Sequence, residues 1–191
     1  RHKSPPPEPR GQVRLRLVGK ERAVDLNGPN CCELITPAEW DAVRERLGED
    51  PLRADHDPDA AWRRISRSRA AIGTLLLNQS VIAGVGNIYR SEVLFLLGIH
   101  PETPGKLLSR DAFDALWAKT VELLKIGVKH NRIIIADPAD VGRPRSRMKR
   151  DERLLIYKKP ECTACGESIE AWELGARRVF ACPACQPLPE A

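Results

Sequence analysis

Four cysteines near the end of the chain, Cys162, Cys165, Cys182 and Cys185, form two Cys-x-x-Cys pairs with 16 residues between them. Each pair brings two thiolates together across a tight turn, and two such turns make a tetrahedral sulfur set that suits zinc. A disulfide framework would instead scatter its pairs through a small secreted domain. Four protein thiolates leave the ion no open position, so one structural zinc is expected here. The stretch between the pairs alternates residue types around Gly175, which suits a β-hairpin fastened at its base, and Arg177 and Arg178 follow the turn. A rigid hairpin that presents arginine is a phosphate or groove reader; a purely structural ribbon with solvated arginines is the alternative.

A second constellation lies in NQSVIAGVGNIYRSE, from Asn78 to Glu92. The apolar runs on either side, AAIGTLLLNQ and IYRSEVLFLLG, read as helices, and two glycines and an asparagine separate them. The exposed N–H groups of a helix N-terminus carry roughly half a positive charge, so a glycine turn leading into one makes an anion site. Gly84 and Gly86 are expected to supply positive φ and close backbone approach, and Asn87 to cap a helix whose first turn is Ile88, Tyr89 and Arg90. A plain helical hairpin with an asparagine cap is the competing reading of this stretch.

These groups need a scaffold, and 191 residues with 42% hydrophobic and 30% charged are enough for one ordinary domain or two small ones. A net charge of +5 is compatible with a polyanionic partner. No apolar run approaches the ~20 residues of a spanning helix, and RHKSPPPEPRG lacks the apolar centre of a signal peptide, so a cytoplasmic protein without a membrane partner is expected, nucleoid-associated in a bacterium. Residues 1–11 read as an irregular, proline-rich lead-in, and VRLRLV, Gly19-Lys20 and RAVDL as a hairpin too small to stand alone. Cys31 and Cys32, in CCELI, read as buried residues of a strand. Thr36, Pro37 and Glu39 form a capping box ahead of a helix with Trp40, Val43 and Leu47 on one face and Gly48 as its stop. Asp57-Pro58 starts another helix. A long amphipathic helix follows from Ser109 to about Val128, with Phe113, Leu116, Trp117, Val121, Leu124 and Val128 as its core stripe. RIIIAD reads as a short strand or extended segment and Gly142 to Arg153 as a basic loop. The expected divisions are 1–35, 36–136, a linker over 137–156, and 157–191.

Together, IAGVGNIYRSEVLF and the Cys-x-x-Cys pairs with their RVFAC approach resemble the helix-two-turn-helix and zinc finger of the formamidopyrimidine-DNA glycosylase and endonuclease VIII family, over about Gln12 to Gln186. The resemblance implies an α+β architecture: partial β-sandwich strands, a helical helix-two-turn-helix domain and a C-terminal zinc-finger hairpin. It implies that Asn87 and Arg177 hold phosphates flanking a damaged nucleotide, with Gly86, Ile88, Tyr157, Lys158 and Arg178 beside the DNA. IYKK stands where the family carries Tyr-Gly-Arg and departs from it at Lys158 and Lys159. The implied partner is double-stranded DNA with a damaged base or abasic site, bound by a monomer and kinked so that a base is flipped out. The implied activity is a base-excision repair glycosylase/AP lyase acting on oxidised bases.

The family's nucleophile is an N-terminal proline amine followed by glutamate. This chain begins Arg-His-Lys, and the nitrogen of Pro7 in Pro7-Glu8 is an internal amide. The expectation is therefore the DNA-binding portion, with no catalytic residue assigned and no cleavage by the chain itself. The alternative is a stand-alone zinc-containing nucleic-acid-binding module without lyase activity; a zinc-stabilised protein-interaction domain would lack salt-sensitive DNA binding.

Overall fold

The structure, a computed structural model, describes residues 2–3, 7–28 and 31–189. The chain divides into two compact units, residues 1–44 and 45–191.

The first unit is a three-stranded antiparallel sheet followed by a helix. Strand β1 (His2–Lys3) pairs with β3 (Arg22–Asn27), which pairs in turn with β2 (Val13–Val18). The Gly19 N–H donates to Arg22 O at 2.8 Å to close the β2–β3 turn, and Arg16 grips Asp25 through two hydrogen bonds of 2.6 and 2.7 Å across the pair. The lead-in is thus not wholly irregular, because the open edge of β3 offers His2–Lys3 a ladder. Ala23 is fully buried, whereas Leu15, Leu17, Val18, Val24 and Leu26 stay exposed. Cys31 and Cys32 are irregular and exposed rather than buried in a strand: their composition suits a sheet, but no described ladder takes them. Helix α1 (Pro37–Glu45) starts at the expected capping box, with Thr36 N donating to Glu39 Oε2 at 2.7 Å and Glu39 N to Thr36 Oγ1 at 3.3 Å. Its apolar stripe is not buried; Trp40 is exposed and Leu47 lies beyond the helix end.

In the second unit, α2 (Pro58–Ile65) is capped by Asp57 and the long α5 (Arg110–His130) by Ser109. Between them lie α3 (Ile72–Leu77) and α4 (Asn87–Leu96). Ile65, Ile72, Leu76, Ile82, Leu94, Phe113 and Leu116 form the centre of one apolar core. The buried stripe of α5 contains Phe113, Leu116, Trp117 and Leu124 as expected, but Thr120 and Leu123 complete it while Val128 is exposed in the last turn. Thr120 is tolerated inside because its hydroxyl donates to Leu116 O at 2.7 Å. Residues 133–135 form no strand and Ala136 is a bend, with Ile135 N and Ala136 N both donating to Arg153 O in place of a ladder. A short helix α6 (Pro138–Val141) precedes the basic loop, which itself holds two 3₁₀ turns on either side of the buried Met148. The C-terminal hairpin pairs β4 (Glu170–Glu173) with β5 (Arg178–Ala181). A second core, of Phe95, Ile156, Phe180, Cys162 and Cys182, seats it on α4. No described helix is long and apolar enough to cross a membrane.

Candidate nucleic-acid interface and metal centre

The turn between α3 and α4 is built by side chains that substitute for a regular ladder. Gln79 accepts from Gly84 N at 2.9 Å and donates to Leu77 O and Val85 O at 3.1 and 2.9 Å, so a single amide closes the loop from inside. Gly84 has φ +85°, where a side chain would be strained. Gly86 has φ −111°, so positive φ is not what it supplies. A Cβ at Gly86 would meet nothing within 4 Å, which leaves open space beside the first turn of α4. Gly86, not Asn87, is the N-cap, and no side chain caps the helix.

Asn87 is the first helical residue because its amide is engaged elsewhere. Its Oδ1 accepts from Arg90 Nη2 at 2.5 Å, and its Nδ2 donates to Arg178 O at 2.9 Å. A longer contact of 3.5 Å runs from Nδ2 to the Tyr157 hydroxyl. The interface is therefore assembled from two elements far apart in the chain. Ile88 is half-buried beside it, and Arg177 and Arg178 are exposed at the hairpin turn, where Gly175 and Ala176 both take positive φ.

Arg90 is fully buried. Besides Asn87 it donates to Gly73 O at 3.3 Å, Leu174 O at 2.8 Å and Arg177 O at 3.2 Å, while its Nε has no partner. Burial pushes its guanidinium down to about 10, still charged at neutral pH. Glu92, two residues further on and also buried, accepts from Leu155 N at 2.9 Å, Ile156 N at 3.1 Å and Tyr157 N at 2.9 Å. Burial pushes its carboxyl up and the three N–H groups pull it back, leaving it above the ordinary range. The segment it ties down carries Tyr157, packed edge-on against Phe180 with centroids 4.9 Å apart, and Lys158, whose ammonium lies 5.7 Å from the Tyr157 ring centre. Lys158 adopts φ +60°, the region that favours glycine. Ile88, Tyr157, Lys158 and Lys159 also line a cavity of about 470 Å³ with Arg150, Asp151 and Leu154.

The thiols of Cys162, Cys165, Cys182 and Cys185 all lie within 4.8 Å of one another. Sulfur–sulfur distances of 3.5 Å for Cys165–Cys182 and 3.8 Å for Cys162–Cys185 are those of a tetrahedral cage: zinc–sulfur bonds of about 2.3 Å give edges of roughly 3.8 Å. The cluster has the geometry to bind a metal ion. Burial raises the Cys162 thiol, but N–H groups of Ala164 and Cys165 outweigh it and bring the group to about 7. Hydrogen bonds that the Cys185 thiol donates to the Cys165 and Cys182 sulfurs hold its proton and push it up to about 12. Four thiols so close cannot all ionise without a cation among them.

A profile of the formamidopyrimidine-DNA glycosylase H2TH domain matches residues 47–138. Endonuclease 8 1 of Mycobacterium tuberculosis strain H37Rv is 46% identical over 183 residues, covering 94% of this chain and 68% of that protein. The chain belongs to the formamidopyrimidine-DNA glycosylase/endonuclease VIII family. Formamidopyrimidine-DNA glycosylase of Thermomicrobium roseum is 34% identical over 170 residues, or 87% of this chain and 58% of that one. The Lactococcus lactis Fpg complex with DNA containing an abasic site aligns with a TM-score of 0.64 and 26% identity, over 87% of this chain and 58% of that chain. The chain thus spans just over half the length of that solved relative.

Within this glycosylase family frame, the mixed helix-and-strand architecture and the clustered cysteines are as expected, and Asn87, Tyr157 and Arg178 come together in space. Three residues that hold the interface escaped the sequence reading. Gln79, Arg90 and Glu92 each bond main-chain atoms, and for Glu92 those lie more than sixty residues away. One signal was available: Arg90 and Glu92 are charged residues inside an otherwise apolar helix, which is unusual without buried partners.

Proposed function

We propose that this chain is the duplex-gripping portion of a base-excision repair DNA glycosylase/AP lyase of the endonuclease VIII type, acting on oxidised bases. The observation that carries the reading is the convergence of the α4 N-terminus, the Asn87 amide and the arginine-bearing hairpin turn, with Asn87 Nδ2 2.9 Å from Arg178 O. The hairpin turn lies against Asn87, and nothing fills the space beside Gly86. A phosphate fits this arrangement: helix N–H groups, an amide and a guanidinium are all donors. In this reading Asn87 and Arg177 clamp phosphates flanking the lesion, and Gly86, Ile88, Tyr157, Lys158 and Arg178 border the path of the duplex. Such contacts position the DNA and carry no base preference, while kinking exposes the damaged nucleotide for extrusion.

Cys162, Cys165, Cys182 and Cys185 hold one zinc in this reading. The ion supplies a crosslink that makes the short hairpin rigid. The chain's own contribution is the seat: Phe180 and Ile156 pack beneath the cage, and Gln186 closes it by accepting from Cys182 N at 3.1 Å and donating to Ile99 O at 2.8 Å.

The test is binding of zinc-loaded protein to two duplexes of one sequence, intact or carrying a tetrahydrofuran abasic analogue, across a salt series. Preference for the abasic duplex with a steep fall in affinity as salt rises is expected. For Arg177→Ala, the slope of log K against log salt should shrink by about 0.9, as for one neutralised phosphate. Equal, salt-insensitive binding to both duplexes would overturn the reading.

A further inference from the structure

The phosphate reading leaves one question that chemistry must answer. An asparagine amide can present either its carbonyl or its NH2 group to a ligand, and only the NH2 group helps an anion. Something has to fix which way Asn87 faces. Guanidinium is a donor only, and Arg90 sits one turn below Asn87 in α4 with Nη2 at 2.5 Å from Asn87 Oδ1. We infer that Arg90 is the positioning residue of the phosphate site: it locks the Asn87 amide with its donor side outward and ties that amide to the hairpin turn that carries Arg177.

The inference rests on the phosphate-clamp reading above, and three observations support it. First, Arg90 is fully buried, yet every acceptor it contacts is neutral: Gly73 O, Leu174 O, Arg177 O and Asn87 Oδ1. Burying a guanidinium without a carboxylate is expensive, and for stability alone an apolar residue of similar size would serve as well. A positive charge kept one turn below a helix N-terminus adds to the field that an anion feels there. Secondly, the three main-chain acceptors come from α3, the residue after β4 and the residue before β5, so one side chain joins the helical hairpin to both sides of the turn. The fit is close: a Cβ on Gly73 would come within 2.9 Å of the Leu174 side chain. Thirdly, the outward side of Asn87 is only partly satisfied. One Nδ2 hydrogen serves Arg178 O at 2.9 Å, while the other reaches only the Tyr157 hydroxyl at 3.5 Å and is available to a stronger acceptor.

The sharpest consequence concerns Asn87→Asp. Aspartate gives the buried Arg90 a charged acceptor, a gain expected to outweigh the repulsion between its second oxygen and Arg178 O, so the fold should be at least as stable as that of Asn87→Ala, yet it turns a carboxylate toward the duplex. Asn87→Asp is expected to bind the abasic duplex roughly tenfold or more weaker than Asn87→Ala, with a higher melting temperature. A double-mutant cycle tests the positioning directly. In an Arg90→Met background only Arg178 O orients the Asn87 amide, and the hairpin turn that carries that carbonyl has lost its tie to α4, so Asn87→Ala should then cost less than about twofold, although it costs about tenfold or more with Arg90 present. Arg90→Lys keeps a charge without the fork and should fall between the two.

Zinc content and melting temperature are read on every variant. If Arg90→Met loses its zinc or fails to fold, Arg90→Lys takes its place in the cycle, and the Asn87→Asp comparison needs no change at Arg90. An Asn87→Ala cost that is the same in both backgrounds would overturn the inference, as would Asn87→Asp binding as well as Asn87→Ala. Absence of duplex binding by the unaltered protein would instead sink the clamp reading. The melting temperatures would still decide whether Asn87→Asp gains stability only when Arg90 is present, so the two failures are distinguishable.

Discussion

Two small antiparallel hairpins of the molecule are of similar kind and different circumstance. In β2–β3, six-residue strands pair over a longer register and carry the bidentate Arg16–Asp25 bridge, yet Leu17 and Val18 remain more than half exposed. In β4–β5 the strands are only four residues long, but Val179, Phe180 and Ala181 are buried. Strand length and hydrogen bonds therefore do not decide which hairpin is well founded. Cover decides it: β4–β5 rests on α4 through Phe95 and Ile156, and its base is gathered by four thiols. A hairpin alone is marginal in water, so each must borrow stability from elsewhere.

Removing the borrowed support should have the largest effect. Chelation, or Cys162→Ser, is expected to melt the β4–β5 hairpin while leaving β2–β3 as it was, since structural zinc contributes on the order of 10 to 16 kcal/mol in isolated fingers. Hydrogen exchange reads this residue by residue. Protection at 179–181 should collapse on chelation, and protection at 22–27 should not change. A hairpin that keeps its protection without metal would mean that packing alone founds it.

Packing beneath the cage comes next. Phe180 is 8% exposed and touches Tyr157 edge-on, so Phe180→Ala should cost about 3 to 5 kcal/mol in the zinc-loaded protein, read by urea unfolding. A loss under about 1 kcal/mol would show that the metal holds the hairpin without its apolar seat.

These two supports were unequally legible in the sequence. The cysteine cage could be read because ligand spacing is local: two turns of four residues state the whole geometry. The capping box at Thr36 and Glu39 was legible for the same reason. Asn87 was misread as a cap because its competitor for the side chain, Arg90, acts only when the hairpin turn supplies the other acceptors. Cys31 and Cys32 looked like strand residues because their composition suits a sheet, and composition cannot say whether a ladder is there to join. The α5 stripe was legible in its first three turns. Its end was not, because exposure at Val128 depends on what the helix packs against rather than on its own period.

A smaller effect is expected where the backbone departs from what its residue prefers. Lys158 sits at φ +60°, following Tyr157 in the segment that Glu92 secures, and a non-glycine residue in that region costs about 1 to 2 kcal/mol. Lys158→Gly should therefore gain something under about 1 kcal/mol in urea unfolding, since glycine also loses more freedom on folding. In the clamp reading the same change removes a cation beside the duplex, so affinity should fall as stability rises. Gain in both would place the Lys158 ammonium away from the DNA.

The smallest effect is expected on the uncovered sheet, and it tests the comparison from its other side. Leu17 is 61% exposed on β2, opposite Val24, itself 42% exposed. If exposure of this kind means that the side chain gains little from folding, then Leu17→Thr, which keeps a residue suited to strands, should shift stability by no more than about 0.5 kcal/mol. Phe180→Ala provides the scale, several times larger on a shorter strand. Unfolding must be followed by a probe in the first unit, such as exchange at Val24 and Asp25, because the helical core would otherwise dominate the signal. A loss comparable with that of Phe180→Ala would mean that Leu17 is covered in solution, and exposure could no longer be what separates the two hairpins.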